Sequence, residues 1–131
     1  MYTFSAVIPA HNEEKYMEMF LICFFVLNYC YYINYENDLG GILGAMSPEL
    51  MVDGKPIDTM FLDNWRKICS SYTKENKAII LQIDAFLKYY ETHYDFKFPK
   101  TRKLLKTNDI LNYVDTARKK AQEACLKYNY E

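Results

Sequence analysis

The chain has few of the residues that end or break regular structure. Its 131 residues include only four glycines and four prolines. An all-β chain needs a turn roughly every ten residues, so this composition disfavours a β-sandwich or barrel. A chain of this length buries one hydrophobic core rather than two. We therefore expect a single domain built from helices.

Cysteine and histidine are too scattered for a metal site or a disulfide framework. The four cysteines contain no C-x-x-C pair, and His11 and His93 are isolated from them. Cys23 and Cys30 are seven residues apart in one predicted helix, roughly 10 Å along its axis, which is too far for a disulfide. The chain also has no Asn-x-Ser/Thr glycosylation site. We predict reduced thiols in a cytoplasmic protein, with no metal and no cofactor.

The sequence carries no recognisable catalytic motif. Gly40, Gly41 and Gly44 miss both the dinucleotide-binding spacing and the P-loop spacing. There is no G-x-S-x-G nucleophile elbow. His11 lies beside a predicted helix cap and His93 lies in a tyrosine-rich helix end, positions more typical of surface residues than of a general base. We predict that the chain is not an enzyme.

The most apolar segment is residues 19–33, with the sequence MFLICFFVLNYCYYI. Its 15 residues fall short of the roughly 20 that a membrane span needs. Acidic residues flank it on both sides, and no basic cluster sets an orientation. We predict a buried core helix from about Glu13 to Tyr35, capped by Asn12 and preceded by an extended arm over residues 1–11.

Helical spacing of apolar residues continues along the rest of the chain. A medium helix is predicted to start at Asp58 or Thr59, a long one after Thr73 and a last one near 107–108. The fold class that follows is all-α, an irregular helical bundle around the hydrophobic first helix.

Two segments interrupt this pattern within the single domain predicted for residues 1–131. All four glycines fall in residues 36–57, which we predict to be irregular apart from a short helical turn over 39–46. Residues 96–106 contain Pro99 and five basic side chains, and we predict a basic connector there.

Charge is distributed unevenly. Residues 1–65 hold two basic and nine acidic side chains, a net charge of −7, whereas residues 66–131 carry +6. Either the halves pair internally or they face different partners. Acidic side chains around apolar residues suit a partner with a basic active site. The candidate partner-binding residues are Glu36, Asp38, Glu49, Asp53, Asp58 and Asp63.

The basic connector offers an alternative site. Basic side chains beside Phe96 and Phe98 suit a nucleic-acid backbone. A pI near 6.1 is well below the value of about 9 that is typical of such proteins. We therefore expect no direct nucleic-acid contact, and nucleic-acid binding through this segment is the alternative hypothesis. Its residues are Lys97, Lys100, Arg102, Lys103 and Lys106.

Three motifs in order resemble a family of small helical bacterial proteins. They are residues 35–46 (YENDLGGILGAM), residues 53–58 (DGKPID) and residues 63–65 (DNW). The family pattern is an aromatic-rich helix followed by D-L-G-x-L-L-G-x-M, D-G-x-P-x-D and D-W. The resemblance covers about residues 29–68, and the basic C-terminal half has no counterpart in it. Several members look like immunity proteins of toxin systems, including contact-dependent growth inhibition.

The resemblance implies a cytoplasmic immunity protein that binds and neutralises one cognate bacterial toxin. A nuclease that cleaves RNA or tRNA is the expected partner, occluded by acidic residues that meet its basic cleft. Such a pair is expected to have a Kd at nanomolar or below, about −12 kcal/mol or stronger. A nucleic-acid-binding helical module and a structural subunit of a larger assembly remain the alternatives.

Overall fold

The structure is a computed structural model that describes residues 10–47, 51–52, 55–56, 60–69 and 73–128. Within these ranges the chain forms six helices and one pair of two-residue strands. In order, they are α1 (Ala10–Asn34), α2 (Asn37–Met46), β1 (Met51–Val52), β2 (Lys55–Pro56), α3 (Met60–Ile68), α4 (Asn76–His93), α5 (Pro99–Leu104) and α6 (Asn108–Tyr128). The strands pair antiparallel, with Met51 opposite Pro56. The all-α fold class is confirmed.

The hydrophobic helix α1 lies at the centre of the bundle. It packs most extensively along α6 and also contacts α2, α3, α4 and α5. Five consecutive side chains, residues 19–23, are completely buried. Since five residues cover more than one helical turn, this part of α1 is enclosed on every side.

One helix among the described residues is long and apolar enough to span a membrane. It covers Lys15–Asn34, and 56% of its most apolar window is buried inside the fold. Core helices of this composition meet the same length and hydropathy criteria. The burial of residues 19–23 shows that here the helix packs as the core of the bundle.

Aromatic side chains join α3 to α4. The ring of Trp65 packs edge-on against Phe86, with centroids 5.4 Å apart, and both rings are fully buried. The buried Asn64 amide donates a 2.8 Å hydrogen bond to the hydroxyl of Tyr90. This bond satisfies a polar group that would otherwise be costly to bury.

The last helix, α6, packs along α1 with an apolar stripe. Ile110, Val114, Ala117 and Ala121 are all fully buried. At its N-terminal end Tyr113 stacks on Tyr29 of α1, with centroids 4.0 Å apart and planes 5° from parallel.

Several boundaries differ from the predicted ones. The first helix begins at Ala10, so residues 10 and 11 belong to α1, and the rest of the predicted arm lies outside the described residues. The fourth helix begins at Asn76 rather than directly after Thr73. The hydroxyl of Thr73 instead accepts the N–H of Glu75 at 3.1 Å. Such one- or two-residue shifts reflect how weakly local sequence fixes a helix end.

The two segments predicted to be irregular contain regular structure. Residues 36–57 include the ten-residue helix α2 and both strands. Residues 96–106 include the short helix α5, with Pro99 at its first turn. Proline suits this position because its missing N–H would have no partner inside the helix.

Candidate partner-binding surface

Glu36 lies between α1 and α2 and binds the start of α5. Its two carboxylate oxygens accept the backbone N–H groups of Lys100 and Thr101, both at 2.9 Å. These N–H groups belong to the first turn of α5, which has no capping side chain of its own at Phe98. Glu36 therefore supplies from a distant part of the chain the acceptors that the helix start requires.

Asp38 binds the backbone just before α5, at Lys97. One oxygen of its carboxylate accepts the N–H of Lys97 at 2.7 Å. The acidic half and the basic half of the chain thus do meet, but the acidic side chains contact the backbone of the basic segment rather than its ammonium groups.

Arg102 is held in an internal ion-pair network. Its Nε lies 2.9 Å from Asp84, and its Nη1 lies 2.8 Å from Glu91. The hydrogen bond that the guanidinium donates to Asp84, followed by the one it donates to Glu91, raises the pKa of Arg102. Glu91 also accepts the N–H of Phe98 at 2.8 Å. Arg102 thus anchors α5 to α4, and its fork of donors is already occupied.

In the part of the chain that it describes, the structure does not place the other four predicted acidic residues beside Glu36 and Asp38. Asp63 is exposed in the first turn of α3. Glu49, Asp53 and Asp58 lie outside the described residues. Their role in partner binding stays a prediction.

The four lysines of the alternative basic site are exposed. Lys97, Lys100, Lys103 and Lys106 follow one another at three-residue intervals. Among the described residues none of these ammonium groups lies within ion-pair distance of a carboxylate. We call these four residues the lysine row.

The corner between α1 and α2 displays three large side chains to solvent. Tyr32, Ile33 and Tyr35 are 74%, 45% and 65% exposed. Tyr35 has a left-handed backbone with φ 52°, and its N–H donates to the carbonyl of Tyr31 at 2.8 Å. Glycine is the usual residue at such a helix end, and a bulky residue there costs roughly 1 kcal/mol. We call these three residues the exposed corner.

An open groove of about 360 Å³ runs between α1 and α2 beside this corner. None of its lining residues is charged, although a quarter of the chain is charged. Tyrosine, asparagine, glycine and serine contribute six of them, the composition of surfaces that bind proteins by rigid aromatic and adaptable polar contacts. The lining residues are Phe24, Asn28, Tyr31, Asn37, Gly40, Leu43, Gly44 and Ser47. We call this the α1–α2 groove.

The exposed corner continues one side of this groove. Tyr32 follows Asn28 by four residues on α1, so their side chains are neighbours along the helix. The ring of Tyr35 lies 5.7 Å from that of Tyr31, edge to face. Groove and corner therefore form one uncharged surface rich in tyrosine.

The glycines of α2 have different roles in this surface. A Cβ on Gly40 would lie 2.8 Å from the Tyr31 ring, so the ring would have to shift to admit any larger residue there. Apart from the helix's own backbone and the adjacent residues, no atom of the described residues lies within 4 Å of a Cβ placed on Gly41 or Gly44. Glycine inside a helix costs roughly 0.5–1 kcal/mol relative to alanine, and packing among the described residues does not explain glycine at these two positions.

Sequence reasoning did not place this surface among the candidate sites. A helix as apolar as α1 offers no charged face that would mark its exposed side in the sequence. The glycines at positions 41 and 44 were a sequence signal for this surface, because glycine is costly inside a helix and needs a reason to be there.

A second groove, about 530 Å³ in volume, lies between the start of α4 and α6. Three of its lining residues are joined by hydrogen bonds, two of them through Arg118. The Asn76 amide donates to Asp115 at 2.9 Å, and Arg118 donates to Asn76 and to the carbonyl of Lys74. These bonds hold α4 to α6, so we assign this region a structural role.

Reactive side chains do not converge in the part of the chain that the structure describes. No three of its histidine, cysteine, aspartate and glutamate residues come together to hold a metal ion. His93 is exposed at the end of α4 and contacts the ring of Tyr89. Burial raises the pKa of Cys30 to about 12 and that of Cys23 well above its usual value. Thiols that stay protonated are poor nucleophiles and metal ligands.

Comparison of the chain with known protein families, with characterised proteins and with solved structures finds no match.

Proposed function

We propose that this protein is a cytoplasmic immunity protein that binds one cognate bacterial toxin, a nuclease, and blocks its active site. The supporting observation is the uncharged surface formed by the α1–α2 groove and the exposed corner. The family resemblance in residues 35–46 supports the same proposal, since that motif supplies Tyr35 and the glycines of α2.

The composition of the surface favours a protein partner. Tyrosine is enriched in the energetic centres of protein interfaces, and charged side chains are depleted there. The rings of Tyr32 and Tyr35 are exposed but attached to helix ends, so they lose little freedom on binding. A partner that covers them would bury large apolar area at low entropic cost.

In this proposal the acidic residues of the chain do not insert into a basic cleft of the toxin. Glu36 and Asp38 bind backbone N–H groups of their own chain, so we expect them to support the surface rather than contact the toxin. The toxin would be blocked by the bulk of the bound protein, with the tyrosines as anchors.

Neutralisation is tested with the toxin domain that the proposal expects a neighbouring gene to encode. We expect co-expression of the chain to restore growth of cells that produce this domain. Calorimetry with an inactivated toxin domain should give a Kd at nanomolar or below. Unchanged killing in the presence of the chain would reject the immunity proposal.

The binding surface is tested with Tyr32→Asp and Tyr35→Asp, which place a charge on the exposed corner. Each should weaken toxin binding at least a hundredfold, because a buried charge without a partner is costly in an interface. Leu126→Asp is the matched control, since Leu126 is 82% exposed on α6, away from this surface. Equal affinities for all three variants and the wild type would assign binding to another face.

The alternative, nucleic-acid binding through the basic segment, is tested by titrating labelled single-stranded RNA at increasing salt. Nucleic-acid binding predicts measurable affinity that falls steeply with salt. The immunity proposal predicts no appreciable RNA binding at physiological ionic strength.

A further inference from the structure

The lysine row is a concentrated positive charge that the described part of the fold does not neutralise. Lys100 and Lys103 are three residues apart on α5, so their ammonium groups are neighbours on that helix. Like charges at this spacing destabilise a helix by a few tenths of a kcal/mol. Such a cost is offset when a partner supplies the opposite charge.

The carboxylates of the same region are directed at the backbone and at Arg102. Glu36 and Asp38 accept the N–H groups of residues 97, 100 and 101. Glu91 accepts the N–H of Phe98 and binds Arg102. With these acceptors engaged internally, residues 96–106 display ammonium groups outward, and Asp95 is an exposed carboxylate beside them.

The lysine row adjoins the uncharged surface. Asn34 donates from its amide to the hydroxyl of Thr101 at 3.2 Å, and Glu36 binds the N–H of Lys100. Tyr35 lies between these two residues in the chain, so the exposed corner is beside the start of α5. The lysines thus border the tyrosine-rich surface, as a charged rim borders the apolar centre of a protein interface.

We propose that the lysine row binds carboxylates of the protein partner that covers the α1–α2 groove and the exposed corner. This inference rests on the proposed function and adds the charge of the partner's surface. The partner's surface is therefore acidic where it meets α5. The excess of acidic residues in the first half of the sequence predicted the opposite, a partner that presents a basic cleft.

A protein partner explains the local charges better than a nucleic acid does. The whole chain has a net charge of −1 and a pI near 6.1, well below the value of about 9 that is typical of nucleic-acid-binding proteins. A folded partner places single carboxylates opposite single ammonium groups, and discrete charge matching of this kind mainly speeds association.

The inference is tested by the association rate of the chain with the same toxin domain in an inactivated form. A triple variant, Lys97→Glu with Lys100→Glu and Lys103→Glu, should associate at least tenfold more slowly at low ionic strength. The difference should shrink at 0.5 M salt, where screening acts over about 4 Å. Lys119→Glu with Lys120→Glu is the matched control, because both lysines are exposed on α6, and its rate should fall much less.

A second triple variant with glutamine at the same positions keeps the test informative if the glutamate variant fails to fold. It should lose part of the rate and keep the helical circular-dichroism spectrum. The inference would be overturned if both triple variants associated with the toxin domain at the wild-type rate, or if the glutamate variant associated faster. Neither result would count against toxin binding itself. Binding of a twelve-nucleotide oligouridylate or of phosphatidylserine vesicles that depends on these lysines, without an effect on toxin association, would also overturn the inference. If the wild-type chain fails to bind the toxin domain, the proposed function itself is rejected.

Discussion

The backbone of Gly40 lies directly against the aromatic ring of Tyr31, and a Cβ there would be 2.8 Å from the ring carbon Cε1. Tyr31 is half-buried and in edge contact with Tyr35, so its ring is not free to move away without disturbing the exposed corner. The contact fixes the distance between α1 and α2, and with it the width of the groove between them.

Gly40→Ala is expected to destabilise the fold. The added methyl group forces the Tyr31 ring to shift, and overpacking of this kind costs about 1–3 kcal/mol, more than the gain in helix propensity. Urea denaturation followed by circular dichroism measures the change. Gly41→Ala is the control with the opposite sign, because its Cβ enters open space and should raise stability by roughly 0.5–1 kcal/mol. Equal effects of the two substitutions would contradict the packing described here.

Gly44→Ala should separate stability from partner binding. Beyond its own helix, the added Cβ meets no atom of the described residues within 4 Å, so the isolated protein should gain roughly 0.5–1 kcal/mol. Gly44 also lines the groove, where an added methyl group keeps a partner from close approach. We expect a higher melting temperature together with weaker binding of the toxin domain. A more stable variant with unchanged affinity would show that the partner does not enter the groove.

Glu36→Ala should loosen the start of α5. The variant removes both acceptors of the Lys100 and Thr101 N–H groups, and loss of a capping side chain costs about 0.5–2 kcal/mol. Hydrogen exchange at these two amides should accelerate more than exchange at the core amides of α6. Asp63→Ala is the matched control, since Asp63 is an exposed acid for which no hydrogen bond is described, and it should leave exchange at α5 unchanged.

The sequence predicts those features of the fold that depend on residues close together in the chain, such as the apolar stripe of one helix. The apolar stripe of Ile110, Val114, Ala117 and Ala121 repeats at helical spacing, and the structure buries all four. A stripe of this kind needs only the helix itself and one apolar neighbour. The central position of α1 was predictable for the same reason, because a segment this apolar must be covered.

The candidate site was less predictable because its parts are joined by contacts distant in sequence. The acceptors that cap α5 come from Glu36, more than sixty residues earlier. Composition identifies Glu36 only as an acid among other acids, and it cannot show that the carboxylate is directed at a backbone. Gly40 and Gly44 are likewise equivalent in a sequence pattern, and only the position of the Tyr31 ring distinguishes them.

Arg102→Ala should destabilise the junction between α4 and α5. Its guanidinium donates to Asp84 and Glu91, and removing it leaves two carboxylates without their partly buried partner. We expect a loss of about 1–3 kcal/mol in the free energy of unfolding, and Arg102→Lys should recover only part of it because an ammonium lacks the planar fork. Lys103→Ala, an exposed neighbour, should change stability by no more than about 0.5 kcal/mol. Equal stabilities of the Arg102 and Lys103 variants would show that the ion pairs contribute little.

The buried thiols predict a loss of stability at alkaline pH. In the unfolded chain a cysteine ionises near its usual value of 9.0, whereas burial raises the pKa of Cys30 in the fold to about 12. Between these values the unfolded state binds fewer protons than the native state, so the free energy of unfolding falls as pH rises. One such thiol contributes up to about 1.4 kcal/mol per pH unit in this window and nothing well below pH 9. Cys30→Ala and Cys30→Val differ in packing but both lack the titrating group, so urea unfolding from pH 8 to pH 11 should show the same shallower slope for both. A slope equal to that of the wild type in both variants would mean that the Cys30 thiol ionises as readily in the fold as in the unfolded chain.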